Sequence, residues 1–234
     1  MDAKRGYVPD DERNFSPEAI VKMRTASRHI SYLLDEGYDL KQATVFVGNH
    51  FLLSERQRLA VMRSVSSGLQ LAEREKKLVP LTGLKGKEVW IDGFNIIITL
   101  EVLCCASLLF ECMDGTIRDL AALRGTYRLI PETGEAVRMM LGVLQEAGAG
   151  KINILLDEPV SNSGRLKAMI ADVAETEQYT FVPDIQILRE VDRTLYRKEL
   201  VITSDSIILD HCVSWVNLTA ECMKRSGRQG LRVW

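Results

Sequence analysis

Three short apolar runs in this chain each stop at an aspartate, and that repetition constrains the fold more than any other feature. Val89-Trp90-Ile91 runs into Asp92-Gly93-Phe94-Asn95, Ile152-Asn153-Ile154-Leu155-Leu156 runs into Asp157, and Leu200-Val201-Ile202-Thr203-Ser204 runs into Asp205. Apolar runs of this length read as strands buried on both faces, the pattern of a parallel sheet sheathed by helices. In open α/β sheets the ligand crevice lies beyond the C-terminal strand tips. If the three strands are neighbours, three carboxylates converge on one small volume. Such a cluster is costly unless a hard cation neutralises it.

The rest of the second half alternates in the same sense. Strands are expected at Glu88–Ile91, Lys151–Leu156, Tyr179–Val182, Glu199–Thr203 and Ser214–Asn217. Helices are expected at Ile96–Phe110, Thr133–Ala147, Arg165–Thr176 and Asp184–Arg193, with a short turn or helical segment at Ser206–His211. Strand–helix alternation argues for an α/β domain with a mostly parallel sheet. The first part reads as helical instead. Ser16-Pro17-Glu18 is a start signal and Gly37 a stop. A short helix follows over Leu40 to Val47, and Ser54-Glu55-Arg56-Gln57 is a capping box opening a long helix to about Lys77. The turn-rich stretch from Pro80 to Lys87 is a natural linker. The expected division is a small all-α domain over residues 1–82 and an α/β domain over residues 83–234.

Bulk properties narrow the class. Among 234 residues, 46% are hydrophobic and 26% charged, ordinary values for a globular protein. No apolar stretch reaches the roughly 18 residues of a membrane span, because Asn95, Thr99 and Glu101 interrupt the longest candidate. No signal peptide is read at the N-terminus. The 5 cysteines (Cys104, Cys105, Cys112, Cys212, Cys222) are odd in number and include no Cys-x-x-Cys pair. Free thiols without disulfides, in a cytoplasmic protein, are the expectation. The histidines do not flank the cysteines at zinc-ligand spacing.

Several residues are candidates for chemistry. Asn95 can bond to a carboxylate or a substrate, and Glu101 is either a further acid or a helix surface charge. Ser161-Asn162-Ser163-Gly164, after Asp157 and before a helix, is either an anion-binding loop or ordinary capping. Thr203 and Ser204 suit the support of metal ligands. Asp210 is a further ligand or a surface cap. Arg56, Arg63 and Arg74 fall on one stripe of the expected long helix, which is a solvated face or a phosphate-contacting one. Arg118 and Asp119 can reach the site from a loop. Asp114-Gly115-Thr116 fails as a haloacid-dehalogenase phosphatase motif, since Cys112 stands where the nucleophile belongs. Gly148-Ala149-Gly150-Lys151 fails as a P-loop, since it precedes a strand and lacks the Ser/Thr after lysine.

Asp92-Gly93-Phe94-Asn95 after a strand, with the late Thr203-Ser204-Asp205-Ser206, resembles the PIN/NYN-like nuclease superfamily. More closely, the chain resembles an uncharacterised prokaryotic family that joins an N-terminal helical domain of unknown function to a C-terminal PIN-like domain. The matching stretches are Leu34–Arg58, Asp92–Glu101, Asp114–Asp119, Asp157–Gly164 and Thr203–Asp210. The resemblance implies a three-layer PIN-like domain and an acidic pocket holding Mg²⁺ or Mn²⁺. It implies Asp92, Asp157 and Asp205 as ligands, Asn95 and Ser204 as positioning groups, and Glu101 or Asp210 as a further acid. One position departs from the pattern: Ile207 stands where an acid is expected two residues after Asp205.

The expected function is therefore metal-dependent hydrolysis of RNA phosphodiester bonds, with RNA as partner, no membrane contact, and the oligomeric state open, a homodimer included. Two alternatives stand beside it. One is a catalytically weak RNA-binding or scaffold protein, which Ile207 favours. The other is a metal-dependent phosphatase or nucleotide-binding enzyme using the same acids and the Ser161–Gly164 loop.

Overall fold

The computed structural model describes residues 4–121 and 125–234. The first unit is helical: α1 (Asp11–Asn14), α2 (Pro17–Asp35), α3 (Leu40–His50), α4 (Glu55–Ser64) and α5 (Gly68–Lys77). Ser16, Asp39, Ser54 and Ser67 start the last four by accepting a hydrogen bond from the backbone N–H three residues on. The single long helix expected from Ser54 to Lys77 is thus two. The chain turns extended at Val65, and Ser67 with Gln70 builds a second capping box identical in logic to Ser54 with Gln57.

A short 3-10 turn (Leu81–Leu84) leads into the second unit. It comprises β1 (Glu88–Asp92), α6 (Gly93–Cys104), β2 (Phe110–Glu111), β3 (Ile117–Arg118), α7 (Thr133–Glu146), β4 (Lys151–Asp157), α8 (Ser163–Thr176), β5 (Asp184–Leu188), α9 (Val191–Leu195), β6 (Val201–Ile202), α10 (Ser206–His211) and α11 (Leu218–Arg225). Four strands form one sheet in the order β5-β4-β1-β6, and all its pairings are parallel. β2 and β3 make a separate antiparallel hairpin.

Strand alternation distributes the core over both faces. Val89, Ile91, Ile152, Ile154 and Leu156 join the cluster built from α6, α7, α8 and α11. Leu155, Val201 and Trp90 pack the other way, against Val191, Leu195, Ile208, Leu209 and Trp215 of α9, α10 and the stretch after them. The helical unit does not close its own core. Met23, Ile30, Val47 and Val61 are completed by Phe110, Leu120 and Val233 from later in the chain, and the Ser27 hydroxyl donates to the Val233 carbonyl at 2.7 Å.

Three expectations are corrected in the last third. The strand at Tyr179–Val182 and the helix at Asp184–Arg193 are instead a strand at Asp184–Leu188 and the short α9. Tyr179 and Phe181 stack on each other, ring centres 5.5 Å apart. β5 lies at the sheet edge and buries only Ile185, so its alternation is weak. Ser214–Asn217 contributes isolated bridges from Trp215 to Leu78 and Val201 in place of a strand. All five cysteines are free, and no helix among the described residues is long and apolar enough to cross a membrane.

Candidate functional site

The sheet brings the three strand-ending aspartates to one edge. β1 is flanked by β4 and β6, so the tips carrying Asp92 and Asp157 and the turn carrying Asp205 are adjacent. The register pairs Asp92 with Leu155. Side chains alternate with period two, so Asp92 and Asp157 lie on the same face as Leu155, the side covered by α9 and α10. Asp157 sits two residues past that pair, an offset of roughly 7 Å along the strand.

Asp92 is 6% exposed. It precedes α6 at the N-cap position, yet its side chain makes no capping bond. It accepts instead from the Thr203 hydroxyl at 2.8 Å, and the same Thr203 oxygen accepts from the Asp205 N–H at 3.0 Å. Gly93 follows because nothing larger fits: a Cβ there would lie 2.8 Å from the Leu155 carbonyl and 2.6 Å from a Leu156 methyl. Close approach, more than a tight turn, explains this glycine. Asn95 stitches α6 to the loop after β6, its side-chain oxygen accepting from both the Ser204 N–H and the Ser204 hydroxyl at 2.8 Å. Asp205 caps α10 with one oxygen, accepting from the N–H groups of Ile207 (2.8 Å) and Ile208 (3.2 Å).

A fourth acid joins this edge. Asp192, on α9, lies at the rim, and its charge raises the pKa of both Asp92 and Asp157. Burial pushes the Asp92 carboxyl well above the usual carboxylate range, the Thr203 hydroxyl pulls it back in part, and Asp205, Asp157 and Asp192 push it further. Asp157 is raised by burial and then by Asp192. Asp192 is raised by partial desolvation and then by Asp205. No ion pair among the described residues involves any of the four. Sequence reading missed Asp192 because its segment reads as the end of a helix. Recognising β5 as a strand would have placed Asp192 just past a fourth strand tip.

The donor chemistry suits the hard cation that the resemblance implies: oxygen ligands in no ion pair among the described residues, with the pKa of Asp92, Asp157 and Asp192 each raised by burial and then by a neighbouring acid. Among the described residues no three His, Cys, Asp or Glu side chains are gathered closely enough to form a metal cage. Mg²⁺ characteristically takes one or two carboxylates and completes its shell with water and substrate phosphate; here Thr203 links the Asp92 carboxylate to the Asp205 backbone N–H.

The other candidates lie elsewhere. Glu101 is 0% exposed, paired with Arg5 at 2.7 Å and accepting from the Tyr127 hydroxyl at 2.6 Å and from Thr133; it is a core acid, away from the sheet edge. Asp210 pairs with Arg74 at 2.7 Å. Arg56 pairs with Asp11 at 2.8 Å and donates to the Leu120 and Gly6 carbonyls. Arg63 faces Asp119, and Arg74 is 1% exposed, so the three arginines form no free stripe. Arg118 is buried and donates to the Ser204 carbonyl at 2.7 Å, behind the Asp205 loop. Ser161 and Asn162 spend their side chains on the backbone of Tyr127, and the Ser163 hydroxyl faces the backbone carbonyls of Asp157 and Val160. Gly164 stands in the first turn of α8, whose N-terminus has no side-chain cap. A surface groove of about 780 Å³, walled by Arg24, Lys224, Arg228 and Arg232 among others, includes none of the four acids; the chemistry points to the sheet edge.

The chain belongs to the family described as a domain of unknown function (DUF5616), which matches residues 81–221. The family described as a protein of unknown function (DUF434) matches residues 22–77. An uncharacterised protein of Methanocaldococcus jannaschii is 31% identical over 206 residues, covering 87% of this chain and 98% of that relative. No solved structure matches.

Proposed function

We propose that this member of the DUF5616 family is a divalent-metal-dependent ribonuclease acting in the cytoplasm, with a PIN-like α/β domain that hydrolyses RNA phosphodiester bonds at the sheet edge. The observation behind this proposal is the row of four unpaired acids: Asp92, Asp157, Asp192 and Asp205. A fold that buries Asp92 without a cationic partner accepts a desolvation cost that only bound positive charge or a proton relieves. The sequence resemblance supplies RNA as the substrate class.

A bound Mg²⁺ or Mn²⁺ supplies a water activated near neutral pH and offsets charge on the phosphate. The chain's own groups do the positioning. Thr203 orients Asp92 while holding the Asp205 backbone, and Asn95 fixes the turn between them through Ser204. The uncapped first turn of α8 presents backbone N–H groups beside Asp157, suited to a phosphate oxygen.

Incubation with generic single-stranded RNA and Mn²⁺ tests the proposal. Cleavage is expected in wild type and is lost with chelator or in Asp205→Asn. Asparagine still caps a helix, so the loss isolates the charge. Intact RNA with every divalent metal tried, or cleavage that survives Asp205→Asn, overturns the assignment. A second reading, an RNA-binding protein without turnover, is favoured by Ile207, which stands 54% exposed in the first turn of α10 where the resemblance expects an acid.

A further inference from the structure

We propose that Arg74 is a positioning residue through which the helical unit holds Asp205, so that the sheet-edge site is complete only with that unit docked. This rests on the metal-site reading above. The helical unit then serves as a clamp on the site, and Arg74 faces inward for that reason.

Arg74, on α5, donates from Nε to Asp210 Oδ1 at 2.7 Å and from Nη2 to the Ser206 carbonyl at 3.3 Å. Its Nη1 reaches Asp114 Oδ2 at 2.7 Å and Ser66 Oγ at 2.9 Å. The same Asp114 oxygen accepts from Arg118 Nη2 at 2.6 Å, and Arg118 Nε donates to the Ser204 carbonyl at 2.7 Å. The carbonyls on either side of Asp205 are therefore held by two guanidinium groups that share one carboxylate. Lys77 closes the other end, its ammonium donating to the carbonyls of Leu209 at 2.8 Å and Asp210 at 2.9 Å. Trp215 returns the contact by donating to the Arg74 carbonyl at 2.7 Å.

α10 spans only Ser206–His211, too short to hold its own shape or direction. Apolar packing would stabilise it as well as buried ion pairs do. What the guanidinium fork adds is fixed direction, since it holds several acceptors in one plane. A slip of one residue in α10 would rotate its face by about 100° and displace the Ile207 and Ile208 N–H groups that hold the Asp205 carboxylate.

The test uses the full chain and Mn²⁺ alone as probe. Free Mn²⁺ is followed by its electron paramagnetic resonance signal, and amide hydrogen exchange is read over residues 204–212. Arg74→Met is compared with Arg74→Lys and with Arg56→Met, which breaks an ion pair of the same unit without touching α10. Arg74→Met is expected to weaken Mn²⁺ binding about 10- to 100-fold, the usual effect of losing a group that orients a ligand, and to speed exchange at 204–212. Arg74→Lys recovers part of both, and Arg56→Met changes neither. Wild-type affinity and exchange in Arg74→Met, or equal losses in Arg56→Met, overturn the clamp. If wild type itself binds no Mn²⁺, the metal-site reading fails while the exchange data still decide the clamp. Should Arg74→Met not fold, Arg74→Lys and Lys77→Met carry the same comparison.

Discussion

Two groups of carboxylates meet the segment around Asp205, and the fold treats them in opposite ways. On the side of the helical unit, Asp114 is shared by Arg74 and Arg118, Asp119 faces Arg63, and Asp210 faces Arg74. At the sheet edge, Asp92, Asp157, Asp192 and Asp205 join no ion pair among the described residues; Asp92 accepts from the Thr203 hydroxyl and Asp205 from the Ile207 and Ile208 N–H groups. Burial alone would raise the Asp114 carboxyl, but the Arg118 charge, the Thr116 hydroxyl and the Arg74 charge outweigh it and hold it below the usual range. Asp92, equally enclosed, moves the other way. The chain has arginines within reach of this segment and directs them to the back of the loop. Carboxylates left unmatched beside matched ones make this edge the candidate site.

The largest effect expected comes from breaking the matched side. Asp114→Ala strands two buried guanidinium groups and should cost about 3–5 kcal/mol in urea unfolding. A loss under about 1 kcal/mol would mean that the paired acids are as dispensable as surface ones, and the contrast would collapse.

A smaller effect, of opposite sign, is expected on the unmatched side. Because the Asp92 pKa is raised on folding, the folded state holds that proton more tightly than the unfolded chain. Stability of the metal-free protein therefore falls as pH rises from the ordinary aspartate value through the raised one. Asp92→Asn, which keeps an acceptor for Thr203, should melt higher than wild type at neutral pH without metal, and that advantage should vanish as pH drops toward 4. A destabilised Asp92→Asn at neutral pH would place Asp92 with the matched acids.

Much of the sheet was legible in the sequence, and the reasons differ by element. β1 and β4 are apolar runs long enough to announce themselves, and their terminal aspartates locate the edge. β5 was not legible, because an edge strand that buries one side chain carries almost no periodic signal. Misplacing it hid Asp192. The break between α4 and α5 was written in Ser67 and Gln70, but a continuing apolar face masked it. The fate of Arg56, Arg63 and Arg74 lay outside local pattern altogether: each meets an acid distant in sequence, and only packing makes that pairing. Glu101 is the same lesson from inside a helix, where its partner Arg5 comes from the chain's beginning.

The central claim is that the unmatched acids hold a divalent cation in the folded protein. Thermal and urea unfolding of wild type and Asp92→Asn, each with and without Mn²⁺, tests it most directly. Wild type should gain about 2.7 kcal/mol at a Mn²⁺ concentration 100 times its Kd, and Asp92→Asn should gain little. No gain in wild type at millimolar Mn²⁺, or an equal gain in both proteins, would contradict it.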